Sequence, residues 1–108
     1  MALKNLTDES FKKEIKESGK PSIVQFSADW CSPCRTLKPI MEEISNEMSD
    51  KLNFFYMDID SAPSTPTLFG IRGVPTLIFF DKNGEQGKVK VGATNKVNVL
   101  TFINEQLV

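Results

Sequence analysis

Ile23-Val24-Gln25-Phe26-Ser27-Ala28-Asp29-Trp30-Cys31-Ser32-Pro33-Cys34 joins two kinds of pattern in twelve residues. Its first four residues are β-branched or largely apolar, as in a strand buried on both faces. Its end holds both cysteines of the chain. Directly after it, Leu37, Ile40, Met41, Ile44 and Met48 mark one face of an amphipathic helix from about Cys34 to Ser49. Pro39 falls inside that pattern and is expected to kink the helix, because its ring removes a backbone donor.

The same two patterns alternate on either side. Upstream, Thr7 followed by Asp8 and Glu9 predicts a helix start, with acids where the helix dipole favours them. Phe11 and Ile15 share its inner face, Gly19-Lys20-Pro21 ends it, and Lys4–Leu6 before it is a candidate short strand. Downstream, Asn53–Asp58 and Thr76–Phe80 read as core strands. The stretch between those two strands contains Pro63 and Pro66, so only a short or irregular helix, Pro66–Phe69, is expected there. Lys82-Asn83-Gly84-Glu85 carries the Asn-Gly hairpin signal and leads into a strand over Gln86–Val91. Val97, Leu100, Ile103 and Leu107 mark a closing helix. Strands alternating with helices predict an α/β class, with a parallel core and an antiparallel hairpin at its end.

At 108 residues the chain is expected to form one domain over 1–108, with no repeat or linker. Hydrophobic residues make up 40% and charged residues 25%, the composition of a globular domain that needs no metal or disulfide staple. Thirteen basic against fourteen acidic side chains offer no excess to neutralise phosphates, so nucleic-acid binding is not expected. With no histidine, Ser-His-Asp and Cys-His catalysis and any His-containing zinc site are excluded. Two cysteines are far fewer than a disulfide-built secreted scaffold uses. Met1 to Lys13 lacks the apolar run of a signal peptide, and no apolar run is long enough to span a membrane. The expected setting is the cytoplasm.

Cysteines three apart at a helix start share a face, with Cβ atoms about 5–6 Å apart, close to disulfide range. Cys31 lies near the helix N-terminus, where unpaired N–H groups and the macrodipole favour a thiolate below the free-thiol pKa of about 8.5. Pro33 suits the first helical turn, which has no use for its missing donor. Three readings compete. A structural disulfide closing so short a loop would contribute only about 2 kcal/mol in the chain-entropy model. A metal half-site would need a second copy to complete a zinc shell, giving a zinc-bridged dimer. Reversible thiol–disulfide exchange fits a dithiol beside βαβ patterning and is the reading the pattern favours.

The segment Phe26–Cys34 resembles the active-site segment of the thioredoxin family. Gly70-Ile71-Arg72-Gly73-Val74-Pro75-Thr76-Leu77 is similar to that family's cis-proline loop, and Val91-Gly92-Ala93 to its small-residue loop beside the dithiol. The likeness runs nearly end to end. It implies the thioredoxin fold, a central five-stranded mixed β-sheet flanked by four α-helices. It also implies a protein-disulfide reductase with no bound cofactor and no metal, its Cys31–Cys34 dithiol carrying the electrons. Electrons would come from a thioredoxin reductase and pass to disulfide-containing client proteins, in cytoplasmic redox homeostasis, with the chain a monomer. A disulfide oxidase or isomerase of the same fold, and a non-catalytic interaction module, are the alternatives.

The resemblance also assigns roles. Cys31 would be the exposed nucleophile, forming a mixed disulfide with a client, and Cys34, more buried, the resolving thiol. Trp30 would shield the pair and contact clients, or serve as a half-buried packing aromatic. Pro75 would be cis and present the Val74 backbone to an extended substrate, with Thr76 and Ala93 completing the binding loops. Gly73 and Gly92 would keep the rim low, or act as turn glycines. Ser32, Pro33, Gln25 and Tyr56 would support the site.

Three of these supports depart from the family pattern. Gln25 stands where the family has a buried Asp, and Tyr56 where it has a Lys, so both charges of that pair are gone together. Either charge alone would be uncompensated in the interior. Neutral repacking with a Gln25–Tyr56 hydrogen bond is expected. A sharper expectation is altered proton handling, since Gln cannot take the Cys34 proton and the missing negative charge favours a Cys31 thiolate. Ser32 replaces the usual glycine, and its hydroxyl is expected to point into water or donate to a sulfur.

Overall fold

Five extended segments hydrogen-bond into one mixed sheet in the computed structural model, which describes residues 3–107. Met1, Ala2 and Val108, the ends of the expected domain, lie outside the described residues. The strands are β1 (Lys4–Asn5), β2 (Ser22–Ser27), β3 (Asn53–Asp58), β4 (Thr76–Phe80) and β5 (Gln86–Val91). They lie in the order β1-β3-β2-β4-β5. β1 and β2 run parallel to β3, whereas β4 runs antiparallel to both β2 and β5. The helices among the described residues are α1 (Asp8–Lys16), α2 (Ser32–Met48), α3 (Ser64–Leu68) and α4 (Lys96–Leu107). Class, element order and hairpin are those expected from the alternating patterns.

The central strand β2, flanked by β3 and β4, is buried at every position. Side chains alternate between the two faces of a strand. Ile23 joins Phe54, Leu77 and Phe79 beneath Leu37, Met41 and Ile44 of α2 and Val99 and Ile103 of α4. Val24 and Phe26 join Phe55, Met57, Ile78 and Phe80 on the other face, against Ile15 of α1. Fully burying one such side chain is worth roughly 1.5–3 kcal/mol, so these two layers hold the sheet. On the Ile23 face the next inward residues, Gln25 and Ser27, are polar and fully buried. The core turns polar where β2 approaches the cysteines.

Boundaries differ from expectation in β1, which ends at Asn5 rather than Leu6, and in three helices. Helix α2 starts at Ser32 rather than Cys34, because the Cys31 side chain accepts the Cys34 N–H and acts as N-cap. The helical run continues past Pro39 to Met48. Helix α1 stops at Lys16, short of Gly19, with the Glu17 N–H closing the last turn onto the Lys13 carbonyl. Helix α3 begins two residues before Pro66. Its first N–H groups, on Ser64 and Thr65, donate to the Asp8 carboxylate at 3.1 and 2.9 Å. These bonds hold the Asp8 pKa below its ordinary value, the Thr65 N–H bond being the largest cause. In the hairpin, Gly84 takes φ +79° and passes so close to Lys16 that a Cβ would clash with it.

Candidate active site

The C-terminal end of β2 delivers the chain into Ala28–Trp30, and two short bonds fix how it turns into α2. The Cys31 N–H donates to the Ala28 carbonyl at 3.1 Å, and the Arg35 guanidinium donates to the Asp29 carbonyl at 2.6 Å. Cys31 and Cys34 are joined as a disulfide with Cα atoms 5.2 Å apart. The Cys34 N–H reaches the Cys31 sulfur at 3.2 Å. One of the helix's unpaired donors therefore already points at the atom that would carry a negative charge after reduction.

Cys34 is 1% exposed and Cys31 5%. The order agrees with expectation, but the exposed Cys31 does not. With the disulfide closed, Cys31 packs with Ala28 and Val74, and its sulfur lies 3.6 Å from the Val74 carbonyl. That sulfur carries no proton here, so the approach is a contact rather than a donated bond.

The Val74–Pro75 peptide bond is cis. The Thr76 hydroxyl donates to the Gly73 carbonyl at 2.7 Å, tying the loop back on itself. The Gly92 N–H donates to the Pro75 carbonyl at 2.8 Å, which brings Ala93 and the end of β5 to the same rim. Gly92 takes φ +96°, so its turn needs glycine, whereas Gly73 sits with open space where a Cβ would be. The residues 73–76, 92 and 93 expected to bind substrate are thus brought beside the disulfide.

Trp30 is 68% exposed, which corrects the reading of it as a half-buried packing aromatic. Its indole N–H donates to Asp60 Oδ2 at 2.9 Å, so a polar anchor rather than burial holds the ring. Asp60 was not singled out in the sequence. Its only signal is an acidic residue just after a core strand, which many loops share. Ser32 and Pro33 are both exposed on the first turn of α2. Among the described residues no hydrogen bond joins the Ser32 hydroxyl to a sulfur.

Gln25 and Tyr56 are register neighbours on β2 and β3, but the expected hydrogen bond between them is not made. Gln25 Nε2 donates instead to the Cys34 carbonyl and to Ser27 Oγ, each at 3.3 Å. The Tyr56 ring lies under the Lys38 ammonium, 4.3 Å from its centroid. Helix α2 separates the pair by giving each its own partner: the Cys34 carbonyl to the amide and, one turn on, a cation to the ring. Among the described residues no three His, Cys, Asp or Glu side chains cluster to hold a metal, and no helix is long and apolar enough to cross a membrane.

The family model described as thioredoxin matches residues 2–105. Curated thioredoxins of Rickettsia typhi and Rickettsia prowazekii are each 48% identical over 103 residues, covering 95% of this chain and 97% of the relative. The thioredoxin of Acidithiobacillus ferridurans is 42% identical over 106 residues, covering 98% and 97%.

Proposed function

The chain belongs to the thioredoxin family and is a thiol–disulfide oxidoreductase with protein-disulfide reductase activity, and on that premise we propose how its site divides the work. Its electrons are carried by the Cys31–Cys34 pair itself, without a bound cofactor. Cys31 is the nucleophile. In the reduced protein its thiolate sits at the N-cap of α2, and the observation that carries the assignment is the Cys34 N–H at 3.2 Å from its sulfur. Attack on a client disulfide joins Cys31 to one client sulfur, and the other leaves as a thiolate and takes a proton. Cys34, having lost its own proton, then attacks the Cys31 sulfur. That closes the Cys31–Cys34 bond, expels the second client thiolate and leaves the client reduced by two electrons.

The rim presents the client. The Val74 backbone, whose carbonyl lies 3.6 Å from the Cys31 sulfur, pairs with an extended client segment as an added strand. Gly73 and Gly92 leave room for that segment, Ala93 lines it, and the exposed Trp30 ring covers an apolar client residue, while Thr76, expected to bind the client, is buried and instead holds the loop through its bond to Gly73. Ser32, Pro33, Gln25 and Tyr56 support the helix start from outside and beneath.

Electrons enter from a thioredoxin reductase, and residues 1–108 act as one domain and as a monomer. A chain whose two cysteines both belong to the dithiol suits a reducing compartment, the cytoplasm. Insulin reduction tests the assignment. Wild-type protein should precipitate insulin chains catalytically. Cys34→Ser should stall as a mixed disulfide through Cys31 that is isolable after acid quench. Accumulation of that adduct through Cys34 in Cys31→Ser, and not through Cys31, would reverse the roles.

A further inference from the structure

Gln25 is completely buried, and its Oε1 has no hydrogen-bond partner. The amide cannot simply be turned over. The Cys34 carbonyl only accepts, so the side of Gln25 that faces it at 3.3 Å must be the NH2 group, which leaves the acceptor oxygen pointing elsewhere in the interior. A buried acceptor with nothing to accept is rare in folded proteins. The closed disulfide offers it no donor, because neither sulfur carries hydrogen. Reduction changes the inventory. Two electrons and two protons convert the S–S bond into two S–H groups, and Cys34, at 1% exposure, cannot turn its new thiol to solvent.

We propose that Gln25 Oε1 accepts the hydrogen bond of the Cys34 thiol in the reduced protein. Gln25 is then a positioning residue whose own hydrogen bonding is complete only in the dithiol state. The inference rests on reading Cys31–Cys34 as a working redox pair. Its consequence is thermodynamic: the amide favours the dithiol over the disulfide, independently of how fast clients react.

Equilibration with glutathione measures this, as protein disulfide plus two glutathione thiols gives protein dithiol plus glutathione disulfide. Gln25→Met keeps side-chain length and removes the amide. Its equilibrium should move toward the disulfide by about fivefold, the worth of one net hydrogen bond. Its Tm should fall more in the reduced than in the oxidised state. An equilibrium within twofold of wild type, with equal Tm changes in both states, overturns the proposal. If Gln25→Met does not fold, Cys31→Ser isolates the Cys34 thiol with Gln25 intact. The S–H infrared band should then sit at the hydrogen-bonded end of its range, and a band at the free-thiol position overturns the proposal equally. Insulin reduction run alongside keeps the two readings apart. A wild-type protein inactive on insulin that still shows the glutathione shift breaks the reductase reading and supports this one.

Discussion

Helices α2 and α3 follow the parallel neighbours β2 and β3, yet they satisfy their first N–H groups from opposite sources. Helix α2 is capped from within its own segment: the Cys31 side chain, three residues back, receives the Cys34 N–H. Helix α3 has no side-chain cap at Pro63 and draws instead on Asp8, 56 and 57 residues away, which receives the Ser64 and Thr65 N–H groups. The carboxylate of Asp8 is a permanent anion with several donors and no reaction to perform. The sulfur of Cys31 is a conditional one, neutral in the disulfide and charged only when reduced and deprotonated. The same backbone geometry therefore acts as a structural tie at one helix and as an activating field for a nucleophile at the other.

The largest effect comes from making the conditional anion unreactive. Serine is a good N-cap, so Cys31→Ser should keep the Tm of the reduced wild-type protein within a few degrees. Insulin reduction should nevertheless fall on the order of 10³-fold or more, to background, because the nucleophile is gone. A large loss of Tm would mean that the sulfur matters to the fold as the Asp8 carboxylate does.

A smaller effect is expected at the permanent anion. Asp8→Ala should lower Tm by several degrees and leave insulin reduction unchanged, since Asp8 lies outside the redox site. The pH dependence follows from the lowered folded-state pKa of Asp8. Between the folded and unfolded pKa values the unfolded chain binds more protons, so stability rises with pH there. The Asp8 contribution is complete above the unfolded carboxylate value of about 3.9 and is lost as pH falls through the lower folded value. Acid unfolding curves of wild type and Asp8→Ala should therefore converge at low pH and separate above about pH 4. Parallel curves throughout would break the contrast.

The smallest effect is expected where a side chain is held at the rim without being buried. Trp30→Phe removes the indole N–H that donates to Asp60 and keeps an aromatic surface. Catalytic efficiency on insulin should drop by about two- to fivefold with Tm nearly unchanged, the scale of one exposed hydrogen bond. A loss as large as that of Cys31→Ser would make Trp30 part of the chemistry rather than of client contact.

Much of this was legible in the residues because its causes are local. Alternating strand and helix periods, the Asn83-Gly84 turn and the cysteine spacing each act within a few residues. Helix α3 shows the limit. Its local text, with Pro63 and Pro66, argues for a start at Pro66, and only the Asp8 carboxylate explains Ser64. The site divides the same way. Cys31, Cys34 and the Gly73–Thr76 loop could be named from motifs. The Asp60 anchor of Trp30 and the separate partners of Gln25 and Tyr56 could not, since each is a contact between distant segments.

By itself the sequence determined the α/β class, the order of elements, the redox pair and the neutral residue at position 25, because periodicity and spacing are properties of a continuous chain. Only the tertiary structure decided what that neutral residue does. Which partner a buried amide finds depends on which strand, helix and carbonyl are packed around it. Here packing matched the Gln25 donor to the Cys34 carbonyl and left its acceptor buried without a partner in the closed disulfide state.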